Sequence, residues 1–261
     1  MLTAAARWRA DLESWALPEH IVAAATQSPW IHPPELFDVP ATIASSPSHD
    51  RAREAVPENG TVLDVGCGGG IAAFAIAPPA AHVIGVDHQS EMLAMFRTNA
   101  TARALSCETV EGFWPAVAQT TPTADVVTSH HVAYNVADVV PFLRALNDHA
   151  RRRVVLEVPD HHPLSAMNDA WRHFWRLERP AAPSSHDLKA VLEEMGVSVQ
   201  MQQWSGPPRS EPDLDRAAHF MRVRLCLPVE RESEVHDFLA QRPVDSNREL
   251  TTLWWDSAAS T

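Results

Sequence analysis

The sequence predicts an α/β fold: a doubly wound, mainly parallel sheet of seven strands, with a helical cap before it and a helical insertion before the last strand. Three observations lead there. Short apolar runs at 61–65, 81–86, 106–110, 124–129 and 153–158 alternate with segments of helical length, the spacing of crossover connections. The run at 153–158 is continuous and rich in β-branched residues, as in a strand buried on both faces. The first run enters the glycine-dense turn Gly66-Cys67-Gly68-Gly69-Gly70 and a helix opens directly after it.

The elements follow in order. Residues 4–15 have helix-favouring composition with Trp8, Leu12 and Trp15 on one face, and Pro18 can begin a second helix at 20–25. Ser28-Pro29-Trp30 and His32-Pro33-Pro34 force an irregular connection. A helix at 49–56 leads into the first strand, and helix 71–76 follows the glycine turn. Strand 81–86, helix 91–100, strands 106–110 and 124–129, helix 139–150 and strand 153–158 complete the alternation. Residues 164–177 read as a helix carrying Trp171, Phe174 and Trp175. Helix 185–195 takes Ser184 or Ser185 as its N-cap and ends at Gly196, before a sixth strand at 197–203. The proline-rich stretch 205–212 opens an insertion with helices at 214–226 and 232–240, and 250–255 is the final strand. The expected organisation is one domain over 1–261: cap 1–50, core 51–204 and 250–257, insertion 205–249.

Charge narrows the function. The net charge of −12, from 21 basic and 33 acidic residues, opposes a nucleic-acid partner because phosphate backbones are repelled. The one basic triplet, Arg151-Arg152-Arg153, precedes a buried strand and reads as a solvated turn. Cys67, Cys107 and Cys226 are widely spaced, with no CxxC pair or secretory leader, so a reducing cytoplasm is expected. No apolar segment approaches the roughly 20 residues needed to span a bilayer. A soluble protein without a membrane partner, monomer or homodimer, is expected.

The glycine turn and the acid Asp87, 21 residues after Gly66, form the arrangement that binds an adenosine. Dinucleotides and S-adenosylmethionine share it. The dinucleotide pattern needs glycine at its sixth place, where this chain has Ile71, and Asp64 stands two residues before the first glycine. A carboxylate there repels a diphosphate and suits a ligand bearing an ammonium and a sulfonium. S-adenosyl-L-methionine is the expected cofactor, and a nicotinamide oxidoreductase is disfavoured.

TVLDVGCGGG at 61–70 and VIGVDHQSEML at 83–93 resemble the class I S-adenosylmethionine-dependent methyltransferases of the small-molecule branch, over roughly 52–203 with a weaker echo near Leu253. The resemblance implies a Rossmann-like sheet whose last strand is antiparallel. It gives Asp64 the methionine ammonium, Gly66 and Gly68 the methionyl and ribose portion, and Asp87 the ribose hydroxyls. Ser90 can then cap the following helix. Cys67 lines the turn as a small buried filler, not a nucleophile. His88 and Met92 fall near the adenine edge. Glu111-Gly112-Phe113-Trp114 matches the segment that usually places an acid on the adenine amino group, where this chain has Phe113. Either Phe113 or Trp114 packs on the ring, or both are core residues.

Acceptor chemistry belongs beyond the carboxyl ends of the strands. His130-His131 and His161-His162 fall there, with Tyr134 and Asn135 after the first pair. Ser129-His130-His131-Val132 replaces the Asn-Pro-Pro-Tyr of amino-methylating members, which lowers the case for bases and glutamine side chains. A histidine titrating near neutrality suits deprotonation of a phenol, alcohol or amine, so His130 or His131 is the candidate base or anchor; alternatively one of them bonds the cofactor carboxylate. Trp30, Tyr134, His162, Trp171 and Trp175 are candidates to line the site of a small-molecule methyl acceptor, with the cap and aromatic helix closing over it. His131, Asp160 and His161 have no HxH or HExxH spacing, so no metal is expected. The expected function is methyl transfer to an oxygen or nitrogen of a small molecule. A protein that binds S-adenosylmethionine or S-adenosylhomocysteine without catalysis is the alternative.

Overall fold

The computed structural model describes residues 2–30, 38–207, 213–242 and 248–257; His32-Pro33-Pro34 and most of the proline-rich stretch at 208–212 lie outside them. Seven strands form one sheet: β1 (Gly60–Val65), β2 (Ala80–Asp87), β3 (Ser106–Glu111), β4 (Ala124–His130), β5 (Ala150–Pro159), β6 (Gln200–Gly206) and β7 (Arg248–Asp256). Their order is β3-β2-β1-β4-β5-β7-β6. The pairs from β3 through β5 are parallel, and β7 runs antiparallel to both β5 and β6.

The helices are α1 (Ala4–Glu13), α2 (Glu19–Val22), α3 (Pro47–Ala55), α4 (Ile71–Ala75), α5 (Ser90–Ala102), α6 (Val139–His149), α7 (Asn168–Trp175), α8 (Ser185–Glu194), α9 (Leu214–Arg224) and α10 (Glu232–Ala240). Alternation along each strand divides the core between the two faces of the sheet. Leu63, Val127, Val154 and Leu156 meet Trp8 of α1, Phe142 and Leu146 of α6, and Leu188 and Leu192 of α8. Val62, Val83, Val126 and Val155 meet Ala52 of α3, Phe74 of α4 and Phe96 of α5. The sheet is therefore covered on both sides, which is why its central strands carry apolar residues at nearly every position. A third cluster joins Ile21, Trp171, Phe174, Ala218, Val235 and Phe238, so that α2, α7, α9 and α10 share a small core of their own.

Most elements lie within a few residues of the sequence expectation, and the departures have local causes. The 164–177 segment is not one helix. Pro163 starts a 3₁₀ turn at Pro163–Met167, where the His162 ring nitrogen accepts from the Leu164 amide; α7 begins only at Asn168. The sixth strand starts at Gln200, not 197. Gly196 is left-handed at φ +81°, and the Val197 amide turns back to the Leu192 carbonyl, so these residues close α8. Ser90 is the first residue of α5 and not its cap, while Ser184 does cap α8 in a reciprocal box with Asp187. No helix among the described residues is long and apolar enough to cross a membrane.

Candidate active site at the carboxyl edge of the sheet

β1, β2, β3, β4 and β5 end on one edge, where the sequence candidates gather. The glycine turn leaves β1 with Gly66 at φ +74°, and a Cβ there would lie 2.3 Å from Val132 Cγ2. Gly70, at φ +101°, starts α4 where a Cβ would lie 2.2 Å from the Phe74 ring. Both positions therefore exclude side chains for steric and conformational reasons. The amides of Gly66 and Cys67 donate to the Val86 carbonyl at 2.8 and 3.0 Å, tying the turn to β2. Burial first, then the carboxylates of Asp64 and Asp87, push the Cys67 thiol well above its ordinary range, so it stays neutral.

Asp64 is buried at 1% exposure. One carboxyl oxygen accepts from the Ala73 amide at 3.2 Å, and the other, Oδ1, has no partner among the described residues. Burial pushes this carboxyl up to about 7, against the pull of the Ala73 amide. An unpartnered buried carboxylate is costly, and a cationic group is what relieves it. Asp87 is held differently: it accepts from the Gly68 amide at 3.0 Å with Oδ2 and from the Gln89 amide at 3.0 Å with Oδ1. Part of its work is thus to close the turn before α5. A carboxylate has about four lone-pair positions, so two remain for hydroxyl donors.

After β3, neighbouring residues part company. Gly112, at φ +148°, donates to the Asp87 carbonyl at 2.9 Å. Phe113 is 68% exposed and stacks on the His88 ring with centroids 4.6 Å apart. Trp114 instead turns inward, donating from its indole to the Phe142 carbonyl at 3.3 Å and meeting the His149 ring edge-on. Of the two aromatics, Phe113 is the exposed one, and Trp114 is partly buried in packing against α6. Met92 is buried on α5.

The two histidines after β4 also separate. His130 lies beside Glu157 in the parallel register of β4 and β5, on the sheet face that carries Asp64 and Thr128. Its ring stacks on His49 of α3 with centroids 5.5 Å apart. Burial pushes His130 down to about 3, against the attraction of Glu157, so it is uncharged and not a base near neutrality. His131 has a side chain 39% exposed, with Nε2 3.1 Å from Glu157 Oε1. Burial alone would raise the Glu157 carboxyl; the imidazoles of His130 and His131 overcome it and hold the carboxyl well below its usual range. Asp64 Oδ1, Thr128 Oγ1, His130 Nε2 and His49 Nδ1 are all buried without partners among the described residues, so an unsatisfied polar strip runs beneath this edge.

Glu157, Ser46 and His49 are site residues that sequence reasoning did not select. The signal for Glu157 was present: an acid inside an apolar run that predicts burial on both faces needs a partner. Several acceptor candidates prove structural. Tyr134 is buried against Trp8, and its hydroxyl donates to the Pro159 carbonyl at 3.0 Å. His162 stacks on Trp15 at 4.0 Å, and burial pushes it down to about 4. Trp171 is buried in the third cluster, and the Trp175 indole donates to the Leu225 carbonyl at 2.7 Å. Trp30 is 51% exposed, beside residues outside the description. Asp160 accepts from Ser185, Gln203 and Thr251, fastening β5 to its neighbours. His131 is thus not brought to Asp160 and His161, and no group of metal-ligating side chains forms among the described residues.

Residues 62–153 match the family described as a methyltransferase domain. The ubiquinone biosynthesis O-methyltransferase of Bartonella quintana is 30% identical over 144 residues, covering 52% of this chain and 56% of that protein. Its namesake in Aliivibrio fischeri is 39% identical over 85 residues, covering 32% and 36%. The chain therefore matches between about a third and somewhat over half the length of these curated relatives. Among solved structures, the YcgJ protein from Bacillus subtilis overlays with a TM-score of 0.55 at 18% identity, covering 80% of this chain and 97% of that one. TehB from Haemophilus influenzae overlays with a TM-score of 0.53 at 14% identity, covering 84% and 64%. These overlays establish a shared fold.

Proposed function

We propose that this chain is a class I S-adenosylmethionine-dependent methyltransferase that methylates an oxygen or nitrogen of a small molecule, a reading supported by its match to a methyltransferase domain and to methyltransferase relatives. The observation that carries the reading is the lone buried oxygen of Asp64 at the glycine turn. It fits an ammonium, and a diphosphate would be repelled there. When bound, S-adenosylmethionine supplies a methyl group on an excellent leaving group, so the protein's part is placement and proton removal. Asp64 holds the ammonium, Gly66, Cys67 and Gly68 line the methionyl and ribose portion, and Asp87 accepts from the ribose hydroxyls. The exposed Phe113–His88 pair stacks beside the adenine, with Met92 and Gly112 below it.

His131, not His130, is the base in this reading, because its imidazole is reachable from solvent at the carboxyl edge. The curated relatives are O-methyltransferases, so oxygen acceptors lead the search. Acceptor specificity falls to α2 of the cap, α7 and the insertion helices α9 and α10, whose shared core makes them one lid. The three cysteines are free, which supports a reducing compartment.

Two measurements test the proposal. Calorimetry should show binding of S-adenosylmethionine and none of NAD. Release of S-adenosylhomocysteine should then appear within a panel of phenols, hydroxy acids and amines. Binding of NAD in place of S-adenosylmethionine ends the proposal; tight binding with no turnover across the panel makes the chain a non-catalytic cofactor-binding protein.

A further inference from the structure

We propose that Glu157 is a positioning residue that fixes His131 in the tautomer protonated on Nε2, leaving Nδ1 to take the proton that the methyl acceptor loses. The inference rests on the transferase reading for its kinetic consequence, but its structural content stands without an acceptor.

The geometry leads to it in three steps. First, Glu157 is buried, and its Oε1 lies 3.1 Å from His131 Nε2. An ionised carboxylate only accepts hydrogen bonds, so the proton of a neutral imidazole must sit on Nε2. Second, that leaves Nδ1 as the lone-pair nitrogen of a ring whose side chain is 39% exposed. Third, His131 is held in a left-handed conformation at φ +61°, which costs a residue with a Cβ roughly 1–2 kcal/mol. The His131 amide donates to the Glu157 carbonyl at 2.7 Å, so backbone and carboxylate of one residue grip both ends of this histidine. Strain tolerated in this way is characteristic of functional positions.

The surroundings keep Glu157 on this task. Ser46, the N-cap of α3, donates to Oε2 at 3.3 Å, and Ser48 of the same helix, 2.7 Å from the Thr252 hydroxyl of β7, also helps hold the carboxyl down. From β4, His130 Nδ1 is 4.0 Å from Oε1, and His49 of α3 stacks behind it. His130 is the wall of the dyad. In the transfer, the acceptor's electron pair forms the bond to the methyl carbon, and the carbon–sulfur pair stays on sulfur. The acceptor's proton passes to Nδ1, and the resulting imidazolium is paired with the Glu157 carboxylate until it yields the proton to water.

Protein labelled with ¹⁵N-histidine tests this, with His131 assigned by comparison with H131N, because asparagine tolerates the left-handed backbone. The wild-type spectrum should show His131 as the Nε2–H tautomer. In E157Q the amide can donate as well as accept, so the Nδ1–H form should appear. With a working acceptor, kcat should fall about 10- to 100-fold in E157Q while KM for S-adenosylmethionine stays within about twofold, and E157D should restore part of the loss. A wild-type Nδ1–H tautomer overturns the proposal and needs no variant to fold. So does an E157Q enzyme with unchanged tautomer and unchanged kcat. Absence of turnover with every acceptor would count against the transferase reading alone, since the tautomer is read without substrate.

Discussion

At the scale of single residues, two carboxylates that look alike in sequence do different work because their hydrogen bonds differ. Asp87 is supplied by two amides. Asp64 receives one and keeps an unpartnered oxygen in a buried place, which pushes its carboxyl up to about 7. A ligand ammonium favours the ionised form, so binding below that value first expels a proton. Affinity for S-adenosylmethionine should therefore rise as pH increases from 6 towards 8, by up to about tenfold per unit below 7. In D64N the dependence should flatten and affinity fall about 10- to 100-fold, the scale of one hydrogen bond to a charged group. Calorimetry across that pH range reads both; equal slopes in the two proteins would remove Asp64 from the cofactor site.

At the scale of elements, the segment leaving β3 shows how adjacent side chains divide between site and core. Phe113 lies out on the surface against His88, and Trp114 bonds to the Phe142 carbonyl under α6. F113A should weaken cofactor binding by about two- to tenfold, the worth of one aromatic stack, and leave the denaturation midpoint nearly unchanged. W114A should do the opposite, lowering stability by about 2–3 kcal/mol, less than for a fully buried tryptophan, with intact cofactor affinity in the folded protein. Calorimetry with urea denaturation of the two variants separates these outcomes. The Phe113–Trp114 order was legible in sequence as a pair of candidates. Which one turned inward depended on α6, which approaches from about 30 residues further along the chain.

At the scale of the whole molecule, the histidines held neutral in the interior set the response to acid. His162 is pushed down to about 4 by its burial between Trp15 and Tyr134, and His130 to about 3 beneath α3. Unfolded, both titrate near 6.5, so between pH 6.5 and 4 the unfolded chain binds more protons at these sites. Asp64 acts in the opposite direction over the same interval, because the folded form holds its proton up to about 7. With His49, which burial likewise pushes down, the buried histidines outweigh Asp64 and leave a net loss of stability on acidification. Thermal midpoints of the cofactor-free protein should fall from pH 6.5 to 4.5. H162F should make the fall shallower and D64N should make it steeper; a midpoint independent of pH over this interval would contradict the burial of these rings.

Resemblance to a family implied the antiparallel last strand; the sequence by itself determined the sheet, the glycine turn and the two acids flanking it. These rest on local physics: alternation of apolar runs, glycine where a Cβ would collide, and charge of the sign a cationic ligand needs. Only the tertiary structure decided which histidine of the pair is exposed, because the last residue of β4 and the one after it face different surroundings: His130 goes under α3, and His131 reaches the edge. It also turned Tyr134, His162, Trp171 and Trp175 from site candidates into packing, since an aromatic near a strand end reads alike whether it meets a ligand or a distant helix. The partner of His131 was hidden for the same reason. Glu157 stands 26 residues away in sequence and becomes its neighbour only when β4 and β5 pair in register.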